Sequence, residues 1–123
     1  MSKSRLDIAW DHMNGKTILG AFEKIKINGV GVVAKIDTGA SRSSIDESFA
    51  ESLKVGPVLK RSIIVSSHGK SVRPVIKAHV DIGGRRINAF FNISKRSHMR
   101  CRVLIGRNIL KRGYLVDSSL DRR

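Results

Sequence analysis

The pair Asn28-Gly29 limits the fold of this chain more than any other short segment. It separates two segments in which apolar and polar residues alternate, TILGAFEKIKI before it and VGVVAKID after it. Asn-Gly readily supplies the positive φ angles that the tight turn of a β-hairpin requires. Residues 17–37 are therefore predicted to form two antiparallel strands joined by this turn.

Short apolar segments separated by turn signals continue along the chain. The further predicted strands lie at 61–67, 71–82, 85–93, 102–106 and 114–117. Ser44 and Glu47 have the spacing of a capping box, which predicts a short helix that extends to about Leu53. A second helical turn is predicted at 108–112. This pattern indicates an all-β fold, either a barrel or a sandwich, with one or two brief helices.

The length of 123 residues suits a single domain. Residues 1–16 are polar and mixed and are interpreted as an N-terminal arm, whereas 17–123 are interpreted as the folded domain. The arm lacks the apolar run of a signal peptide, and no segment approaches the roughly 20 apolar residues of a membrane helix. The single cysteine, Cys101, excludes an internal disulfide and favours a reducing compartment. We therefore expect a cytoplasmic protein that does not contact a membrane.

The chain is strongly basic, with 24 Lys and Arg residues against 10 Asp and Glu residues. Such a charge favours an acidic partner, either a nucleic acid or an acidic peptide. Residues 52–112 contain 15 of the cations and a single acid, Asp81. The aromatic residues of this region, Phe90 and Phe91, lie in an apolar run, and no nucleic-acid-binding motif is present. Nucleic acid is therefore the rival partner rather than the first choice.

The motif Asp37-Thr38-Gly39-Ala40 stands at the end of the apolar segment VVAKI. A partly buried carboxylate is costly unless neighbouring groups hold it. Asp-Thr-Gly is also common turn chemistry, so a purely structural turn is one interpretation. The motif also resembles the active-site motif of aspartic proteases, which makes Asp37 a candidate catalytic residue.

Further segments of the chain strengthen this resemblance. The segment VLIGRNIL at 103–110 resembles the part of retropepsins that follows the flap, the hairpin that closes over the substrate. FNISKRSHMRCRVLIGRNIL at 91–110 is similar to the C-terminal signature of bacterial retropepsin-like proteins that carry the name "ATP-dependent zinc protease". LGAFEKIKINGVGVVAKIDTGASRSSI and VSSHGKSVRPVI resemble the other parts of that family. The resemblance covers residues 18–117 and implies a small closed β-barrel that acts as a homodimeric aspartic peptidase.

The resemblance also implies individual roles. The hydroxyl of Thr38 would bond across to the partner's loop, Gly39 would let the substrate approach closely, and Ala40 would leave space for the substrate backbone. The flap would be formed by Ser66, Ser67, His68, Gly69 and Lys70. Structural support near the site would come from Ile105, Gly106 and Arg107. Viral relatives have an acid after the motif that pairs with this arginine, but here that position is Ser41, which leaves the partner of Arg107 open.

The number of motifs bears on assembly. Peptide hydrolysis by this route needs two carboxylates that face one water, one as base and one as acid. The chain contains one Asp-Thr-Gly, so two copies must each supply Asp37.

The family's name also implies ATP and zinc, and the residues argue against both. Gly15-Lys16-Thr17 and Gly69-Lys70-Ser71 match the end of a P-loop, but Trp10 and Ile64 replace its first glycine. The histidines and Cys101 lack the usual spacings of zinc ligands. We expect no cofactor and no metal.

The sequence thus predicts a homodimeric aspartic endopeptidase that favours acidic, Glu- or Asp-rich peptides. The acidic preference follows from the charge, and by resemblance from relatives associated with glutamate ligases that build acidic tails. Two alternatives remain open: a basic nucleic-acid-binding protein on the same fold, and a catalytically silent dimeric interaction module.

Overall fold

A computed structural model describes residues 15–53, 58, 60–67 and 69–123. Most of the predicted N-terminal arm (residues 1–14) and His68 of the predicted flap lie outside the described residues. The strands are β1 Thr17–Leu19, β2 Phe22–Ile27, β3 Val30–Ile36, β4 Ser43–Asp46, β5 Lys60–Ser66, β6 Gly69–Ile82, β7 Arg85–Ser94, β8 Val103–Ile105, β9 Tyr114–Val116 and β10 Asp121–Arg122. The helices are α1 Glu47–Ser52 and α2 Arg107–Leu110. Within the described residues, neither helix has the length and apolar character needed to cross a membrane.

Six strands form a closed barrel. They are hydrogen-bonded in the order β2-β3-β8-β4-β7-β6, and a pairing between β2 and β6 closes the ring. Strand β5 extends the barrel by pairing with the first half of β6, β10 pairs with β2, and β1 pairs with β9 in a separate two-stranded sheet. Of the two predicted all-β architectures, the barrel is therefore correct.

Side-chain alternation explains why these strands close around a core. In β2, Ile25 and Ile27 are buried while Lys24 and Lys26 are exposed, as expected for strands with one wet face. Phe91 of β7 is among the largest fully buried side chains. Most of the core consists of β-branched residues, which pack well on a pleated surface.

Pro74 marks the place where β6 leaves the barrel. The pairing of β6 with β7 starts at Val75, opposite Asn92, whereas Pro74 lies opposite Arg61 of β5. Proline has no N–H to donate to a neighbouring strand, so it is not suited to the interior of a sheet. The part of β6 before Val75 therefore pairs with β5 alone, as a two-stranded hairpin.

The predicted capping box at Ser44 is wrong, although a helix does follow. Residues Ser43–Asp46 form β4, which pairs with both β7 and β8 and is buried throughout. The helix α1 begins one turn later, and Asp46 is its N-cap, with its carboxylate accepting from the Phe49 N–H. Two neighbouring strands satisfy the backbone of Ser44, so pairing overrides the local helix signal.

The first predicted strand is divided at Gly20. A Cβ at Gly20 would lie 2.6 Å from the Leu120 carbonyl oxygen, so only glycine fits against this backbone. Ala21 N–H donates to the same carbonyl (2.7 Å). The segment between β9 and β10 therefore packs directly against Gly20. This contact joins segments that are far apart in sequence, so local patterns do not predict it.

Candidate active site

Asp37 lies directly after β3, at the start of the segment named here the Asp37 loop (residues 37–42). Its backbone N–H donates to the Ile105 carbonyl (2.9 Å), which continues the β3–β8 pairing by one residue. The Gly39 N–H donates to the carboxylate oxygen Oδ1 (2.9 Å). Asp37 is half-buried, whereas Thr38 and Gly39 are exposed. The carboxylate is therefore fixed by backbone groups while the loop remains accessible.

The Asp37 loop rests on Gly106 and the first residues of α2. A Cβ at Gly106 would lie 2.5 Å from the Arg42 carbonyl oxygen and 2.9 Å from that of Ala40. The Arg107 N–H donates to the Ala40 carbonyl (2.8 Å). Glycine is needed here because the two backbones approach each other closely. The structure thus brings the predicted supporting residues directly beneath the loop.

The side chain of Arg107 adds a further contact to the loop. Its Nη1 donates to the Thr38 carbonyl (2.9 Å). The acid of the viral relatives is replaced here by Ser41, whose carbonyl accepts from the Asn108 N–H (3.2 Å). Arg107 therefore binds a backbone carbonyl of the loop, a contact that answers the question left open by the sequence.

Asn108 and Ser43 form a network that the sequence analysis missed. Asn108 Oδ1 accepts from both the N–H and the hydroxyl of Ser43 (2.8 Å each), and its Nδ2 donates to the Phe90 carbonyl (3.0 Å). Ser43 Oγ in turn accepts from the Gly106 N–H (3.0 Å). This network joins β4, β7, β8 and α2 below the Asp37 loop. Asn108 directly follows Gly106 and Arg107. This position beside a recognised motif is the sequence signal that could have identified it.

The predicted flap is the hairpin of β5 and β6. Ser66 lies opposite Gly69 and Val65 opposite Lys70, so Ser67 stands at the tip beside the undescribed His68. Ile63 and Val72 lie directly opposite each other and are 69% and 61% exposed, and Val65 is 71% exposed. The described hydrogen bonds of residues 37–40 run to β8 and α2 and not to this tip. The hairpin thus presents an uncovered apolar face.

A basic cavity lies between the hairpin and the segment that follows β7. Its volume is about 820 Å³, and its lining includes Arg73, Lys95, Arg96 and His98. Arg96 is half-buried; its Nε donates to the Cys101 carbonyl (3.3 Å) and its Nη1 to Ser44 Oγ (3.4 Å). Burial lowers the pKa of Arg96, and the nearby carboxylates of Asp46 and Asp37 oppose this shift. Arg96 therefore joins the cavity to β4 and to the segment that precedes β8.

Asp46 anchors the other side of Arg96. Its Oδ1 accepts from the backbone N–H of Arg96 (2.7 Å), and its Oδ2 accepts from the Ser48 hydroxyl (2.5 Å). These hydrogen bonds, that of Ser48 foremost, lower the pKa of Asp46 although its burial acts in the opposite direction. Asp46 thus fixes the start of the segment that lines the cavity.

Metal-ligand candidates are dispersed in the described part of the chain. There, no three or more His, Cys, Asp or Glu side chains come close enough to hold a metal ion. His98 lines the basic cavity, whereas Cys101 is buried.

Comparison with known proteins gives one family. A family model described as "gag-polyprotein putative aspartyl protease" matches residues 24–112, which include the Asp37 loop, the hairpin and α2. No curated protein sequence matches the chain.

Solved structures give the same fold. A Legionella pneumophila protein of unknown function (DUF785) is 21% identical, with a TM-score of 0.63 over 85% of this chain and 95% of that one. The simian foamy virus (mac) protease is 20% identical, with a TM-score of 0.59 over 73% and 91%. The EIAV protease, solved with an inhibitor, is 19% identical, with a TM-score of 0.62 over 80% and 88%. At these identities the likeness establishes the barrel fold.

Proposed function

Because this chain belongs to the gag-polyprotein aspartyl protease family, we propose that it is an aspartic endopeptidase in which two copies each contribute Asp37. The observation that carries the proposal is the geometry of the Asp37 loop. The carboxylate is half-buried, accepts the Gly39 N–H and is supported from below by Gly106 and Arg107. A loop that serves only as a turn has no need of this support.

The second carboxylate comes from a second copy, because the chain contains one Asp-Thr-Gly. Two facing Asp37 side chains share one proton, since two adjacent carboxylates do not both ionise easily. The ionised Asp37 accepts a proton from water as the water oxygen attacks the peptide carbonyl carbon. The protonated Asp37 gives its proton to the carbonyl oxygen. Proton transfer to the amide nitrogen then accompanies cleavage of the C–N bond.

The β5–β6 hairpin serves as the flap in this proposal. The exposed side chains of Ile63, Val65 and Val72 give it an apolar face that can cover a bound peptide. Closure of such a hairpin excludes water from the reacting groups and retains the substrate. In this proposal the flap residues named by the resemblance, Ser66 to Lys70, contact the peptide backbone.

Acidic peptides are the proposed substrates. Three cations, Arg73, Lys95 and Arg96, line the cavity beside the hairpin together with one acid, Glu47. Positive potential at a cleft raises the local concentration of anionic substrates and their association rate. A cytoplasmic location is part of the same proposal and depends on the single cysteine, which fits a reducing compartment.

The test is hydrolysis of length-matched Glu-rich, neutral and Lys-rich peptides by the wild type and by Asp37→Asn, with sedimentation of both proteins. We expect Asp37→Asn to sediment as the wild type does while hydrolysis falls by about 10²–10⁴-fold or more, because the substitution removes an acid–base group. Glu-rich peptides should be cleaved fastest, and their advantage should shrink at salt concentrations above about 0.1 M.

Three outcomes would contradict the proposal. Full activity of Asp37→Asn would remove the mechanism, and a strictly monomeric active protein would remove the shared site. Equal cleavage of acidic and basic peptides at low salt would remove the acidic preference alone.

A further inference from the structure

The outer side of β6 and β7 carries a second basic surface, which is separate from the cavity at the hairpin. The strand register places Lys77 opposite Phe90, His79 opposite Asn88, and Asp81 opposite Arg86. On the far side of β6, Lys26 of β2 lies opposite Asp81. We call this surface the basic face. It is defined by seven residues: Lys26, Lys77, His79, Asp81, Arg86, Asn88 and Phe90.

The basic face combines cations with an exposed aromatic ring. Phe90 and Phe91 are adjacent in an apolar run, but strand alternation separates them: Phe91 is 0% exposed and Phe90 is 44% exposed. The Lys77 ammonium lies 5.9 Å from the centroid of the Phe90 ring. Phe90, which lies in an apolar run of the sequence, is thus placed among the cations of the exposed face.

Phe90 is held in place at the backbone. Its carbonyl accepts from Asn108 Nδ2 (3.0 Å), and the carbonyl of Asn88, two residues earlier, accepts from Arg112 Nη1 (2.6 Å). These two hydrogen bonds connect the basic face to Asn108 of α2 and to Arg112, which lies two residues after the end of α2. A ring on such a fixed strand can serve as a stacking platform without ordering a loop on binding.

Polar groups border the ring. A depression of about 440 Å³ is lined by Asn28, Lys77, Ala78, His79 and Asn88. Amide and imidazole groups can donate to and accept from base edges. The acid of this face, Asp81, is paired with Arg86 (2.7 Å), and the Arg86 side chain is still 73% exposed. The face therefore offers positive charge, hydrogen-bonding groups and one aromatic surface together.

We propose that the basic face binds single-stranded nucleic acid, with phosphates on Lys26, Lys77 and Arg86 and a base stacked on Phe90. Proteins that bind single strands combine a positively charged track with aromatic side chains. An acidic polypeptide would use the cations but has no planar base to stack on the ring. Strands rise about 3.3 Å per residue, so Arg86 and Phe90 are about 13 Å apart along β7, and the face spans several nucleotides.

The test is fluorescence anisotropy with labelled oligouridine RNA and oligothymidine DNA of about 12 nucleotides, a length that suits single-strand sites, at a series of salt concentrations. Replacing both lysines in Lys26→Ala/Lys77→Ala should lower the slope of log K against log salt by about 1.4, because each phosphate contact contributes about 0.7. Phe90→Ala should weaken binding by at least about fivefold, the lower end of the range for one stacked base. Phe90→Trp should restore it.

The control is Lys95→Ala, which removes a cation from the hairpin cavity instead. At about 0.15 M salt, where charges act over about 8 Å, it should leave oligonucleotide binding within twofold of the wild type. If Lys95→Ala and the double lysine variant weaken oligonucleotide binding equally, binding depends on the overall positive charge of the protein. The basic face would then not be the binding site. Unchanged binding by Phe90→Ala, or displacement of the oligonucleotide by poly-glutamate at equal charge, would also overturn the proposal.

This inference is independent of the proposed peptidase activity. The variant Lys26→Ala/Lys77→Ala should hydrolyse a neutral peptide as the wild type does, and oligonucleotide binding is measured without peptide. A failure to bind oligonucleotides would therefore leave the peptidase proposal standing, and loss of hydrolysis in Asp37→Asn would leave the basic face standing.

Discussion

The Asp37 loop and the β5–β6 hairpin are both assigned to the same site, but they are built in opposite ways. Strand β8, the helix α2 and the Asn108 network support the loop from within one chain. The hairpin projects from the barrel on the side of Pro74 that precedes it in the chain, and its apolar side chains are uncovered. One chain therefore holds its own Asp37 loop by contacts within itself, whereas it leaves the apolar side chains of its hairpin uncovered.

Among variants that leave Asp37 in place, the largest effect is expected from Gly106→Ala, which breaks the support of the loop. The new Cβ would stand 2.5 Å from the Arg42 carbonyl oxygen, so the loop must move. Misplacement by about 1 Å can cost about 10²-fold in rate, and overpacking costs about 1–3 kcal/mol in stability. Peptide hydrolysis and thermal unfolding measure the two effects.

Gly31→Ala is the matched control for Gly106→Ala. Gly31 lies near the start of β3, the strand that leads into the Asp37 loop, and a Cβ there meets nothing within 4 Å. It should keep both rate and stability near the wild type. If Gly106→Ala behaves like Gly31→Ala, the close backbone approach is not needed for catalysis.

A smaller effect is expected at Asp46, which fixes the segment between the two regions. Its pKa is lowered by the Ser48 hydroxyl and by the N–H groups of Arg96 and Phe49. A carboxyl with a lowered folded pKa stabilises the fold above its ordinary value of 3.8, and this stabilisation is lost as pH falls through the lower folded value. Ser48→Ala should therefore lower the free energy of unfolding by about 1 kcal/mol at pH 7, and less at pH values below the folded pKa.

Ser52→Ala provides the comparison for Ser48→Ala. The Ser52 hydroxyl lies on the same helix but donates to the Phe49 carbonyl (2.7 Å), a group that does not titrate. The loss in free energy of unfolding caused by Ser52→Ala, measured by urea unfolding, should be the same at pH 7 and at a pH below the folded pKa of Asp46. A pH-independent cost for Ser48→Ala would refute the role of the Asp46 charge.

The smallest effect on stability is expected in the hairpin. Ile63→Thr/Val72→Thr replaces exposed side chains and should change the free energy of unfolding by no more than about 0.5 kcal/mol per site. Ile25→Thr, at a position that is 3% exposed, should cost several times more. The hairpin variant should instead raise KM for peptide or weaken self-association. If unfolding, KM and sedimentation all match the wild type, the exposed apolar face has no role as a cover.

The sequence predicted those parts of the molecule that depend on local pattern. Alternation and turn residues predicted five of the six barrel strands, all except β4. The pairing of β3 with β8 brings the Asp-Thr-Gly and Gly-Arg motifs together. The segment Ser43–Asp46 was missed as a strand because it is buried on both sides and does not alternate. The Asn108 network and the Arg96 contacts join residues far apart in the chain, so no local pattern could predict them. The exposure of Phe90 depends on strand register, which an apolar run leaves open.

The closure of the barrel between β2 and β6 is short and has a consequence for folding kinetics. Only Lys26 with Asp81 and Ile27 with Val80 are paired in this junction as described. Asn28 extends it, because its N–H donates to the His79 carbonyl (2.9 Å) and its Oδ1 accepts from the His79 N–H (3.0 Å). With a φ of 47°, the same residue also forms the turn between β2 and β3. Joining two segments so distant in sequence costs more chain entropy than forming either neighbouring hairpin, so we expect the hairpins to form first and Asn28 to take part in both the earliest and the last step of folding.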